Sequence, residues 1–132
     1  MTTKELGELG EKMACEYLVR KGYNIIGKNY RISFGEIDII ARKKFKFFAR
    51  FDSTIHFIEV KSLKATSFQS AYPEEHVDFR KQRKLKQMAE IWLEKNKYQQ
   101  NHPYQIDVIG ILVNENTRNA KLHYFPNVVE EI

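Results

Sequence analysis

Apolar residues recur at intervals of three and four from Thr3 to about Lys21: Leu6, Leu9, Met13, Ala14, Tyr17 and Leu18. That spacing lines one face of a helix. Thr2 with Glu5 fits a capping box at its start, and Gly22 fits a left-handed stop at its end. Gly7 and Gly10 each cost about 1 kcal/mol relative to Ala inside a helix, so close backbone packing is expected there. Three strands are predicted next, at about Tyr23–Tyr30, Gly35–Lys43 and Thr54–Ser62. Leu63–Pro73 reads as loop. Asp78 fits an N-cap for a second helix reaching about Asn96, with Leu85, Met88, Ala89, Trp92 and Leu93 as its apolar seam. Ile106–Val113 is apolar apart from Asp107 and Gly110, the pattern of a strand buried on both faces. Lys121–Phe125 predicts a last, peripheral strand. The order α-β-β-β-α-β-β gives an α/β fold, a mixed sheet flanked by helices, within one domain spanning 1–132.

Composition narrows the function classes. With 42% hydrophobic and 30% charged residues, the 132-residue chain has the make-up of a folded domain. No apolar run reaches the roughly 18 residues of a membrane span, and the first residues lack the apolar core of a signal peptide. Cys15 is the single cysteine, which excludes an internal disulfide or a Cys-rich zinc site and suits a reducing cytoplasm. A net charge of +5 favours a polyanionic partner without requiring one.

Two passages carry candidate chemistry: Gly35-Glu36-Ile37-Asp38-Ile39-Ile40 and Ile58-Glu59-Val60-Lys61. Strand side chains alternate, so Glu36 and Asp38 are expected on one face and Ile37 and Ile39 on the other. Glu59 and Lys61 likewise share a face. If the two strands pair antiparallel with Asp38 opposite Glu59, their Cβ atoms stand about 5 Å apart. Two carboxylates that close repel unless a cation lies between them, and Mg²⁺ takes oxygen ligands of this kind. Lys61 beside such an ion faces a phosphate, in outline a phosphodiesterase site. Ordinary solvent-facing charges on a half-exposed sheet alternate in the same way, and on pattern alone the two readings balance.

The combination Leu9-Gly10-Glu11, Ala14, Tyr17-Leu18, Gly22-Tyr23, Asn29-Tyr30-Arg31, Gly35-Glu36-Ile37-Asp38, Glu59-Val60-Lys61, Arg80-Lys81-Gln82 and Ile106-Asp107-Val108-Ile109 resembles the YraN family of predicted bacterial nucleases. The resemblance covers nearly the whole chain. It implies a restriction-endonuclease-like fold similar to archaeal Holliday junction resolvases. It also implies a site of Glu11, Asp38, Glu59 and Lys61 around Mg²⁺ or Mn²⁺, with Asp38 and Glu59 as metal ligands. Glu36 ranks behind Glu59 as an accessory ligand. Neighbouring carboxylates are expected to keep Lys61 protonated, suiting it to stabilise a transition state and position water. Glu11 is placed to hold a water from the first helix.

The connection at 43–54 departs from the family's short acidic turn: it is longer, basic and aromatic. Phe45 and Phe47 alternate with Lys44 and Lys46 as on a hairpin arm, which either stacks on unpaired bases or covers a structural neighbour. Arg31, Lys44, Lys46, Arg80, Lys81 and Lys84 are the candidate nucleic-acid contacts, with a solvated helix surface as the alternative for those on the second helix. Asp107 reads as a hydrogen-bonded structural carboxylate before a metal ligand. None of the four histidines has ligand spacing. The leading expectation is a metal-dependent endonuclease acting on DNA, branched or single-stranded, with RNA and a homodimer open. The alternatives are a non-catalytic nucleic-acid-binding module and a protein-interaction domain using the Phe45–Phe51 arm.

Overall fold

The computed structural model describes residues 1–44, 53–65 and 79–128. Lys46, the rest of the Phe45–Phe51 arm and the Asp78 cap lie outside them. The described chain runs α1 (Thr3–Arg20), β1 (Tyr23–Ile32), β2 (Gly35–Lys43), β3 (Ile55–Ala65), α2 (Phe79–Lys95), β4 (Tyr104–Asn114) and β5 (Ala120–Phe125). The five strands form one sheet in sequence order. Neighbours pair antiparallel except β3 and β4, which are parallel and are therefore joined by a crossover containing α2. This is the mixed α/β sheet with flanking helices expected from the pattern, consistent with a restriction-endonuclease-like core.

Each helix closes one half of the core. Leu6, Ala14 and Leu18 of α1 pack with Ile39, Ala41, Ile58, Ile109 and Ile111. Leu85, Met88, Ala89, Trp92 and Leu93 of α2 pack with Ile37, Ile40, Ile55, Phe57 and Ile106. β4 supplies both halves and is buried along nearly its whole length. No described helix is long and apolar enough to cross a membrane.

Local signals set the ends of α1. The Thr2 hydroxyl accepts from the Glu5 backbone N–H at 3.1 Å, and the Glu5 carboxylate accepts from the Thr2 N–H at 3.1 Å. Gly22 has φ +92°, a left-handed turn that favours glycine. The two glycines inside α1 differ. A Cβ at Gly10 would lie 1.8 Å from Ser62 Oγ and 3.1 Å from Ser62 Cβ, so glycine lets the helix backbone approach β3 this closely without displacing Ser62. Among the described residues a Cβ at Gly7 would meet nothing within 4 Å, so none of them provides the close packing expected there.

Candidate active site

Three elements converge where β2 leaves β3. Their ladder comprises Ile39–Ile58, Ile40–Phe57 and Ala41–His56, and it stops one pair short of setting Asp38 opposite Glu59. Beyond that point Asp38 Oδ2 accepts the Val60 backbone N–H at 2.7 Å, so a side chain replaces the missing strand partner. The expected alternation fails at the same place. Ile37 packs under α2 and Ile39 under α1, so these two neighbours do not share a face. The irregularity turns Asp38 towards α1. There, Gly10 brings the helix against β3 and places Glu11 over the gap.

The result is a group of three half-buried carboxylates: one oxygen each from Glu11, Glu36 and Asp38 lies within 4.8 Å of the others. Burial, then the charge of Glu59, pushes Asp38 up to about 7. Burial, then Glu36, raises Glu11 above its usual range. Burial and neighbouring negative charge both disfavour the ionised carboxylate. Two β1 residues hold Glu36. Arg31 Nη2 donates to it at 3.1 Å across the β1–β2 pair. The Asn29 amide, its nitrogen turned to the carboxylates, donates to Glu36 Oε1 at 3.1 Å and Glu11 Oε1 at 3.0 Å. Asn29 has φ 52°, a left-handed conformation that asparagine tolerates better than most residues.

Glu59 stands beside this group, not in it. Its buried carboxylate pairs with Lys81 Nζ of α2 at 2.6 Å and Lys61 Nζ at 3.7 Å. Glu36, expected as an accessory, thus lies within the carboxylate group, while Glu59, expected as a ligand, faces two lysines at its edge. At Lys61 the neighbouring carboxylates are not the largest influence. Burial, then Lys81, lowers its pKa and outweighs the opposing pull of Glu59 and Asp38. The expected basic surface divides. Arg80, Lys84, Lys44 and Arg31 are exposed. Lys81 instead reaches into the site.

The model of the uncharacterised protein family UPF0102 matches residues 10–111. The chain belongs to the UPF0102 family. A UPF0102 protein of Dictyoglomus turgidum is 36% identical over 127 residues, covering 96% of this chain and 98% of that one. A UPF0102 protein of Clostridioides difficile is 39% identical over 125 residues, 95% and 100% of the two chains. A UPF0102 protein of Thermodesulfovibrio yellowstonii is 41% identical over 111 residues, 84% and 88% of the two chains. The UPF0102 match spans every residue of the carboxylate group and of the Glu59 cluster.

Two features of this UPF0102 site escape sequence reasoning. Asn29 lies in the Asn-Tyr-Arg run, but its bridging role depends on the β1–β2 register and on α1. The Lys81–Glu59 pair depends on how α2 docks. One further carboxylate, Asp107, is fully buried away from this group and fully engaged. His56 Nδ1 lies 2.7 Å from Oδ2, Gln105 Nε2 donates to Oδ1 at 2.7 Å, and the Asn127 N–H donates to Oδ1 at 2.9 Å. The Tyr124 hydroxyl also donates to Asp107. It is the hydrogen-bonded structural carboxylate that its apolar strand suggested.

Proposed function

We propose that this UPF0102 protein is a metal-dependent nuclease that hydrolyses phosphodiester bonds of DNA. The observation that carries the reading is the meeting of Glu11, Glu36 and Asp38 within 4.8 Å beside the Glu59–Lys61–Lys81 cluster. The donor set fits a hard divalent cation: all its side-chain ligands are carboxylate oxygens, and burial together with neighbouring negative charge raises the proton affinity of two of them. Asp38, Glu36 and Glu11 would hold Mg²⁺ or Mn²⁺, with Glu59 on the adjoining flank. Such a cation, when bound, supplies positive charge to the phosphoryl oxygens and acidifies a water.

The chain's own groups do the rest. Asn29 and Arg31 fix the Glu36 carboxylate, and Asn29 ties it to Glu11. The Val60 N–H fixes Asp38. Lys61 offers an ammonium to the negative charge that grows on the phosphoryl group in the transition state. The exposed Arg80 and Lys84 add positive charge along the N-terminal half of α2, suited to the phosphate backbone.

The test is incubation of purified protein with branched, flapped and single-stranded DNA, in Mn²⁺ and in EDTA. Cleavage that requires the metal is the expected result. Salt-sensitive binding without cleavage would instead mark a non-catalytic nucleic-acid-binding module, and neither binding nor cleavage would remove nucleic acid from the account.

A further inference from the structure

The Glu59 cluster has an unusual charge count. One buried carboxylate faces two ammonium groups, Lys81 at 2.6 Å and Lys61 at 3.7 Å, both on half-buried side chains. One lysine is enough to pair a carboxylate. The second places another ammonium group in the same half-buried place, within the field of Glu59 and Asp38. Next to these lysines lies the group of three carboxylates, of which Glu36 is paired with Arg31 at 3.1 Å. A structural ion pair needs only one of the two lysines. A phosphodiester arriving with a divalent cation fits both groups, the cation against the carboxylates and the phosphate oxygens against the lysines.

The geometry points to Lys81 as a phosphate-contacting residue of this site: with Lys61 it holds a nucleic-acid phosphodiester against the carboxylate group, and Glu59 keeps both ammonium groups in place. This rests on the nuclease reading and extends it to a residue on α2, outside the Glu-x-Lys strand. Lys81 differs in kind from Arg80 and Lys84, which are exposed on the same helix. Those contribute to the field along the backbone. Lys81 touches the phosphate at the site itself.

The test compares Lys81→Ala, Lys81→Met and Lys81→Arg with a control, Lys95→Ala, an exposed lysine in the last turn of α2. Met keeps the length of the side-chain stem should Ala disturb the packing. The probes are a labelled flapped DNA, titrated over a range of salt in EDTA, and Mn²⁺ alone, followed by calorimetry. Lys81→Ala and Lys81→Met should weaken DNA binding and flatten the slope of log K against log salt by roughly 0.9. They should also lower kcat for Mn²⁺-dependent cleavage about tenfold or more, leaving Mn²⁺ affinity unchanged. Lys81→Arg should recover most of the DNA binding, and Lys95→Ala should match wild type in every measure. An unchanged salt slope in Lys81→Met overturns the inference. Loss of Mn²⁺ affinity in the same variant also overturns it, because Lys81 would then act only through Glu59. Failure of Arg to recover binding has the same force. If the wild-type protein binds the DNA but cleaves none, the nuclease reading fails while the salt slope still decides the role of Lys81.

Discussion

Asp38 and Asp107 are both taken from water by the same sheet, yet they behave in opposite ways. Burial favours the neutral acid at each. At Asp107 the hydrogen bonds from His56, Tyr124, the Asn127 N–H and Gln105 overcome burial and hold the carboxyl below its usual range. At Asp38 one backbone N–H works against burial and the charges of Glu59, Glu11 and Glu36, and the carboxyl is pushed up to about 7. Burial is therefore a poor guide to function, and the supply of partners is the better one. A saturated carboxylate is cement between strands. A crowded, undersupplied one readily takes up a proton and, on the proposed function, a cation.

The largest contrast should appear in stability. Asp107→Asn keeps the shape but removes the charge that His56 and Tyr124 face, so unfolding free energy should fall by about 3 kcal/mol in a denaturant titration. Asp38→Asn still accepts from Val60 and relieves repulsion, so it should lie within about 1 kcal/mol of wild type or above it. Equal losses at the two positions would erase the distinction.

The two aspartates should also act in different pH windows. The folded pKa of Asp38 is raised, so the folded state binds the extra proton and stability declines as pH climbs from the usual carboxylate range near 3.8 to about 7. Asp107 has a depressed folded pKa, so its contribution is present above the usual range and is lost only below it. Denaturation followed from pH 4 to 8 should show a decline that Asp38→Asn flattens. Mn²⁺ should stabilise the protein more at about pH 8 than at pH 5, because protons compete for the same oxygens. A wild-type profile with no slope between pH 4 and 7 would contradict the crowding of Asp38.

Two glycine substitutions sharpen the comparison at smaller scale. Gly10→Ala forces a Cβ into Ser62 and should cost about 1–3 kcal/mol while displacing Glu11. Gly7→Ala meets open space and should gain about 0.5–1 kcal/mol. Thermal melting of both variants checks this. Smaller still, Asn29→Gly keeps the left-handed backbone but loses the amide bridge, and should weaken Mn²⁺ binding about tenfold by calorimetry.

What the chain reveals before it folds divides along physical lines. The capping box of Thr2 and Glu5, the stop at Gly22 and the apolar seam of α2 depend on near neighbours, and pattern reading finds them. β3 runs on to Ala65, past its expected end at Ser62, because parallel pairing with β4 continues to Asn114. No local signal records that. The carboxylates of the site are visible as residue types, since Glu36, Asp38 and Glu59 lie on strands that period-two reading identifies. Their grouping is not. It follows from the end of the β2–β3 ladder and from the approach of α1 at Gly10. The reach of Lys81 to Glu59 and the closure of His56 on Asp107 likewise need the assembled sheet.

The central claim is that Glu11, Glu36 and Asp38 form a divalent-cation site. Calorimetric titration of Mn²⁺ into the metal-free protein at about pH 7.5 tests it most directly, with Asp38→Asn and Asp107→Glu alongside. The account predicts saturable binding to the wild type, loss of at least about 100-fold in affinity in Asp38→Asn, and retained binding in any Asp107→Glu protein that folds. No saturable binding to the wild type, or binding that Asp38→Asn leaves intact, would contradict it.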